Sequence, residues 1–307
     1  MTAEARTIEM RSTDCAICGP GRGAREVYPQ AFNPDDLNPV IFSARRAPDR
    51  RHFRIVRCDT CGLVRSDPVA PSSTLAELYQ ASDFDYGEEV ANLRRTYGRY
   101  LGRLDSLGGV RGSLLEIGCG NGFFLLEALA RGYRDVRGVE PSRDAIEKAA
   151  PEIRPAIVEE VMRPGLFEAD AFDVVCLFQV FDHVPDPGAL LAEIHRVLRP
   201  GGLLLFLNHN VTSLSSRLLG EHSPIIDIEH TYLYSPLTMS RVVAAGGFEV
   251  VAGGPATNTY SLKYLAHLLP LPAGLRRAAG RLLTGRAGRW RMTVPLGNLF
   301  LVARRPR

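Results

Sequence analysis

Three groups of residues in this chain have types and spacings that could do chemistry. The first is four cysteines in two pairs of identical grammar, Cys15-Ala-Ile-Cys18-Gly19 and Cys58-Asp-Thr-Cys61-Gly62. Two such pairs supply four thiolates, the donor set of tetrahedral zinc. The glycine after each second cysteine permits the tight turn that aims backbone N–H groups at sulfur. With all four positions filled by protein, the expected role of Zn2+ is structural. The 39 residues between the pairs exceed the roughly 15–20 of ordinary ribbons and predict an inserted loop around residues 33–39.

The second group is a glycine-rich turn, Leu114-Leu-Glu-Ile-Gly-Cys-Gly-Asn-Gly122. Gly118, Gly120 and Gly122 let the backbone turn tightly and lie against a ligand without Cβ collisions. Cys119 and Asn121 are carried in the same turn. The next strand is expected to end at Glu140, followed by Pro141, where a carboxylate can take both hydroxyls of a ribose. A dinucleotide site requires GxGxxG, but Phe123 occupies the last position of that pattern counted from Gly118. The pattern here is GxGxG, with Glu116 two residues before the first glycine. An acid there suits a cationic amine better than a pyrophosphate, so the spacing favours S-adenosylmethionine (SAM) over NAD.

The third group holds imidazoles and carboxylates that could move a proton. Asp182 and His183 follow the expected fourth strand, and Asn208 and His209 the fifth. Glu229, His230, Tyr232 and Tyr234 lie in a long segment beyond. Methyl transfer from a sulfonium is an in-line displacement, so positioning dominates, and a hydroxyl acceptor must also lose its proton to a nearby base. His183 is the favoured base and His230 the second, with Asp182 beside them. A packed structural histidine stays open as the alternative for each. Cys119 and Cys176 are expected to be buried as small hydrophobes.

These residues must be held by regular elements. Strands are expected over 113–117, 136–139, 172–180 and 203–207, and helices over 123–130, 143–150 and 189–198. Two further strands are expected over 248–251 and 298–303. Strand–helix alternation of this kind predicts a parallel α/β sheet with helices on both faces. Upstream, residues 1–72 form a zinc-ribbon unit, with 67–73 read as a linker. Residues 73–112 read as a helical lead-in, opened by the capping-box pattern of Thr74 and Glu77. The domain over 113–307 is expected to carry acceptor-cap segments near 209–240 and 255–295.

Residues 113–208 resemble the class I SAM-dependent methyltransferases. They carry Glu116-Ile-Gly-Cys-Gly-Asn-Gly122, Gly138-Val-Glu-Pro-Ser142, Phe172-Asp-Val-Val175, Gln179-Val-Phe-Asp-His-Val184 and Leu198-Arg-Pro-Gly-Gly-Leu203. The resemblance implies a Rossmann-like, seven-stranded methyltransferase sheet, closed by an antiparallel pair, beside the small N-terminal zinc-ribbon domain. It implies that the glycine loop holds the methionine part of SAM and Glu140 the ribose. Glu159 and Glu160 would lie by the adenine, and Gln179 would stand at the fourth strand's end. The segment 229–236 resembles a loop of bacterial methyltransferases encoded among cell-surface glycan and natural-product genes, which implies a glycan or small-molecule acceptor.

From Val250 onward there are ten Lys and Arg residues and no Asp or Glu, whereas the first 249 residues carry 27 basic against 34 acidic side chains. The basic segment invites peripheral contact with an anionic, lipid-linked acceptor, and a solvated helix face is the plainer alternative. The absence of a signal-type N-terminus or a long apolar run predicts a cytoplasmic protein, at most at the inner face of a membrane. O-methylation of a sugar or other small molecule is the favoured activity. Sugar C-methylation, an rRNA or tRNA methyltransferase gripping RNA through the ribbon, and a non-catalytic SAM-binding subunit are the alternatives. The sequence Phe178-Gln-Val-Phe-Asp-His183 argues against nucleic acid, because amino-methylating enzymes of that kind carry Asn/Asp-Pro-Pro-aromatic there.

Overall fold

A computed structural model describes residues 9–33, 37–38, 49–81, 87–268, 274, 283, 288 and 290–307. Its centre is a seven-stranded sheet. Five strands run parallel: β4 (Ser113–Ile117), β5 (Asp135–Glu140), β6 (Ile157–Glu159), β7 (Phe172–Phe178) and β8 (Leu198–His209). An antiparallel pair, β10 (Glu249–Ser261) and β11 (Arg291–Arg304), closes the sheet against β8, giving the spatial order β10-β11-β8-β7-β4-β5-β6. This is the Rossmann-like order the motifs imply, with the carboxyl ends of β4, β5, β7 and β8 on one edge.

The near-continuous apolar runs of β4, β7 and β8 follow from burial on both faces, since helices cover each side. α2 (Val90–Ser106) buries Leu93, Tyr97, Leu101 and Leu104, one stripe at helical spacing, against α3 (Phe123–Ala130) and β10. α4 (Arg143–Glu147) is capped by Ser142, and α5 (Pro187–Val197) by Asp186, each accepting an N–H two or three residues into its helix. Among the described residues no helix is long and apolar enough to cross a membrane.

A second sheet has four antiparallel strands in the order β1 (Ala24–Tyr28), β2 (Ile55–Cys58), β3 (Val64–Ser66) and β9 (Tyr232–Leu233). The first three come from the cysteine module. The fourth comes from the long segment after β8, more than 160 residues later in sequence. The module is therefore hydrogen-bonded into the domain that carries the seven-stranded sheet. Cys15 and Cys58 are buried in the same apolar cluster as Leu190, Tyr232 and Tyr234.

Several expectations shift. α1 (Ser72–Gln80) opens two residues before Thr74, and no side chain caps it. The carbonyl of Pro71 accepts the first intrahelical bond, from Leu75 N–H at 3.0 Å, so Thr74 already lies in the first turn. The stretch 67–73 is packed: Val69 and Arg11 exchange backbone hydrogen bonds, and Ala70 is buried. β10 and β11 run to 13 and 14 residues because cross-strand pairing outweighs the poor strand propensity of Ala252-Gly-Gly-Pro255. Segments 255–261 and 291–295 therefore extend the hairpin. Most of the inserted loop expected near 33–39 and the basic stretch 275–282 lie outside the described residues.

Candidate active site

The glycine turn lies between β4 and α3. Gly118, Gly120 and Gly122 all have positive φ, at 72°, 54° and 71°, conformations that side chains with a Cβ rarely adopt. A Cβ on Gly118 would also stand 2.4 Å from Val180 Cγ2. The turn is tied to β5, because Gly118 and Cys119 N–H both reach the Val139 carbonyl, at 2.8 and 3.2 Å. Glu140 accepts Gly120 N–H through one oxygen and Ser142 N–H through the other, each at 2.8 Å. Burial raises the pKa of Glu140, and these two N–H donors oppose the rise. Each oxygen keeps a further lone pair for a ribose hydroxyl.

Glu116 is fully buried, and burial, then the Glu140 charge, pushes its carboxyl well above the usual range. Its Oε2, Asn121 Oδ1 and Gln179 Oε1 are buried and accept no hydrogen bond among the described residues. Gln179 also sits at φ +58°, a costly conformation for a residue with a side chain, immediately past β7. Strain and bare acceptors gathered around a positive-φ glycine turn fit a polar ligand. A cavity of about 950 Å³ opens there, lined by Gly118, Glu140, Pro141, Glu160 and Gln179. Of the other expected cofactor residues, Glu116, Cys119, Gly120, Asn121 and Gly122 stand behind that lining. Glu160 holds Val161 N–H at 3.1 Å and pairs with Arg163 at 3.3 Å.

The same cavity is lined at its other end by His183, His209 and His230, with Asp182 buried behind them. His209 Nδ1 lies 2.5 Å from Asp182 Oδ2. His183 Nε2 is 3.6 Å from Asp182 Oδ1, and His230 Nε2 is 3.8 Å from Asp182 Oδ2. The Asp182 carbonyl also accepts Thr231 and Tyr232 N–H, at 2.8 and 3.0 Å, which fixes the His230 segment to the turn after β7. Burial acts to raise Asp182's pKa, but the surrounding imidazoles outweigh it and hold the carboxyl below its usual range. His183 is pushed down to about 3, by burial first and by its neighbouring imidazoles, against the pull of Asp182. Burial lowers His230 as well.

The structure thus brings the three expected catalytic residues together and sets two further side chains, His209 and Tyr79, against them. His209 is placed past the fifth strand by the pattern, but only the extension of β8 to include it shows its contact with Asp182. Tyr79, whose hydroxyl is 2.7 Å from His183 Nδ1, carries no sequence signal beyond its i, i+4 spacing from Leu75 on α1.

The four cysteine sulfurs all lie within 4.8 Å of one another. In each pair the N–H of the following glycine returns to the carbonyl of the first cysteine, Gly19 to Cys15 at 2.8 Å and Gly62 to Cys58 at 3.0 Å. Cys18 N–H points at Cys15 Sγ, 3.4 Å away. Burial acts to raise Cys58, yet N–H donation from Cys61 and Thr60 and contact with the other thiols bring it down to about 6. Burial pushes the Cys18 and Cys61 thiols the other way, above their usual value.

A parallel sheet, a positive-φ glycine turn followed by an acid at the end of the next strand, and a shared cavity define a nucleotide-type group-transfer site. Residues 90–252 match the family described as Methyltransferase domain, and the chain belongs to it, as a class I SAM-dependent methyltransferase. It is similar to the ubiquinone biosynthesis O-methyltransferase of Azorhizobium caulinodans, 33% identical over 208 residues, covering 64% of this chain and 80% of that one. Its counterpart in Alkalilimnicola ehrlichii is 35% identical over 123 residues, covering 37% of this chain and 49% of that one. The chain spans about half the length of several of these curated relatives. Among solved structures, phosphoethanolamine N-methyltransferase 2 of Haemonchus contortus in complex with SAM is 18% identical, with a TM-score of 0.43, covering 69% of this chain and 53% of that one.

Proposed function

We propose that this enzyme methylates a hydroxyl oxygen on a sugar, glycan or comparable small molecule, and that its four-cysteine module holds one structural zinc ion. The observation that carries the acceptor chemistry is the 2.5 Å contact between Asp182 and His209 at the cavity. A carboxylate accepts only, so the shared hydrogen belongs to His209 Nδ1, and a neutral His209 then has its Nε2 lone pair available for the acceptor's proton.

Glu140 and the backbone of the glycine turn would hold SAM, whose sulfonium supplies the methyl group as its C–S bond breaks and the new O–C bond forms. His209 takes the hydroxyl proton, and Asp182 orients the ring and stabilises the imidazolium. His183 and Tyr79 orient the acceptor, and Phe178 and Val180 help to wall the cavity. The basic composition after Val250 supports an acceptor with an anionic part, such as a sugar nucleotide or a lipid diphosphate.

The names of the relatives favour a second reading, an acceptor in ubiquinone biosynthesis. Methyl-labelled SAM, fed to the enzyme with extract of a host strain lacking it, separates the readings. Label in sugar-phosphate or lipid-linked glycan fractions is the expected result. Label in quinone precursors would establish the second reading, and label in RNA would overturn both.

A further inference from the structure

Asp182, His183 and His230 make a more specific arrangement than proton transfer requires. One ligand-type atom of each lies within 4.8 Å of the others. Around a tetrahedral ion with ~2.0–2.2 Å bonds, ligand atoms lie roughly 3.3–3.6 Å apart. His183 Nε2 lies 3.6 Å from Asp182 Oδ1 and His230 Nε2 lies 3.8 Å from the other oxygen, Oδ2, so a shared ion on Oδ1 would draw both rings and the carboxylate together within the 4.8 Å cluster.

The tautomers point the same way. His230 Nδ1 lies 2.8 Å from the Ile225 carbonyl. A carbonyl only accepts, so Nδ1 carries the hydrogen, and a neutral ring presents its Nε2 lone pair to the Asp182 carboxylate. Two acceptors facing each other across 3.8 Å repel, and a proton or a metal cation between them relieves that repulsion. Asp182 Oδ1 is buried and accepts no hydrogen bond among the described residues.

Each candidate ligand also has its other atom engaged. His230 Nδ1–H is held by Ile225, His183 Nδ1 meets the Tyr79 hydroxyl, and Asp182 Oδ2 accepts from His209. Outer partners of this kind fix ring orientation and tautomer at metal centres.

We propose that Asp182, His183 and His230 bind a divalent first-row transition-metal ion at the acceptor end of the cavity, separate from the cysteine module. Two imidazoles and one carboxylate suit zinc, iron(II) or cobalt(II) more than magnesium. The remaining coordination positions face the cavity and are available to the acceptor's oxygen. That last role rests on the hydroxyl-methylation reading, whereas the metal site itself does not.

Cobalt(II) is the probe. Full-length protein with its cysteine module already zinc-loaded is titrated with cobalt(II) and followed by visible absorption. The expected result is one equivalent, with d–d bands and no thiolate-to-cobalt charge transfer. Asp182→Asn should abolish that equivalent. Tyr79→Phe, a gentler change that keeps the ligands, should weaken it by roughly 10–100-fold. SAM binding by each variant reports that the fold is intact. If cobalt binds only with a thiolate signature, or equally in both variants, the site does not exist. Labelled methyl transfer without cobalt uptake would sink the metal site and leave the acceptor reading standing. Cobalt uptake by an enzyme that labels no hydroxyl acceptor would do the reverse.

Discussion

The hydroxyl of Ser66, on β3 of the cysteine module, donates to the main-chain carbonyl of His230 at 2.7 Å, and both residues are buried. Ser66 N–H reaches the Thr231 carbonyl at 2.9 Å, and the Tyr232 hydroxyl returns to the Asp14 carbonyl at 2.9 Å. The module therefore backs the segment that carries His230, which lines the cavity, and does not contact the glycine turn through these bonds. A loosened module should disturb the acceptor and spare the cofactor.

Ser66→Ala tests this relationship. It removes one buried hydrogen bond and leaves a carbonyl short of a partner, a cost of roughly 1–3 kcal/mol. Thermal unfolding should show that loss. Acceptor KM should rise while SAM affinity stays unchanged. Equal weakening of both would mean that the module supports the whole domain.

His209→Ala should lower kcat by roughly 10²–10⁴-fold, the usual contribution of a general base. Because His209 ends β8, three strands across the sheet from Glu140 at the end of β5, the SAM dissociation constant should hold, as titration calorimetry can measure. A kcat within a few-fold of the parent would move the base to His183 or His230.

Gly118→Ala should damage cofactor binding. The added Cβ must adopt a positive φ, costing roughly 1–2 kcal/mol, and must displace Val180 from 2.4 Å, with overpacking of about 1–3 kcal/mol. Equilibrium dialysis with labelled SAM should show at least tenfold weaker binding. Parent-like affinity would place the ligand elsewhere.

What the sequence made legible follows from locality. The glycine turn and the strands around it are contiguous motifs, and the strand 113–117 and helix 123–130 match the structure residue for residue. The two cysteine pairs were legible for the same reason. The dyad was not, since Asp182 and His209 are 27 residues apart and meet only because β7 and β8 are neighbours and β8 runs on through Asn208. Nor could spacing reveal that Tyr232 pairs with Arg65, a contact between segments that each look complete alone. Tyr79 reaches His183 through the placement of α1, which tertiary packing decides.

At the opposite edge of the sheet from the cavity, Asp173 should make stability depend on acid pH without affecting the chemistry. Its Oδ2 accepts Ser113 N–H at 2.8 Å and pairs with Arg199 at 2.6 Å, tying β4, β7 and β8 together. Burial acts to raise its pKa, but the Ser113 N–H, the Arg199 guanidinium and the Ser113 hydroxyl outweigh it, so the folded value lies below 3.8. With a depressed folded pKa, the unfolded chain binds the proton more readily. The stabilisation is thus present in full above the unfolded value and is lost as pH falls through the folded one. Asp173→Asn should cost roughly 1–3 kcal/mol near neutrality, and the difference from the parent should shrink in urea unfolding as pH falls below 3.8. A difference that stayed constant with pH would mean that packing, and not the charge, is what Asp173 contributes.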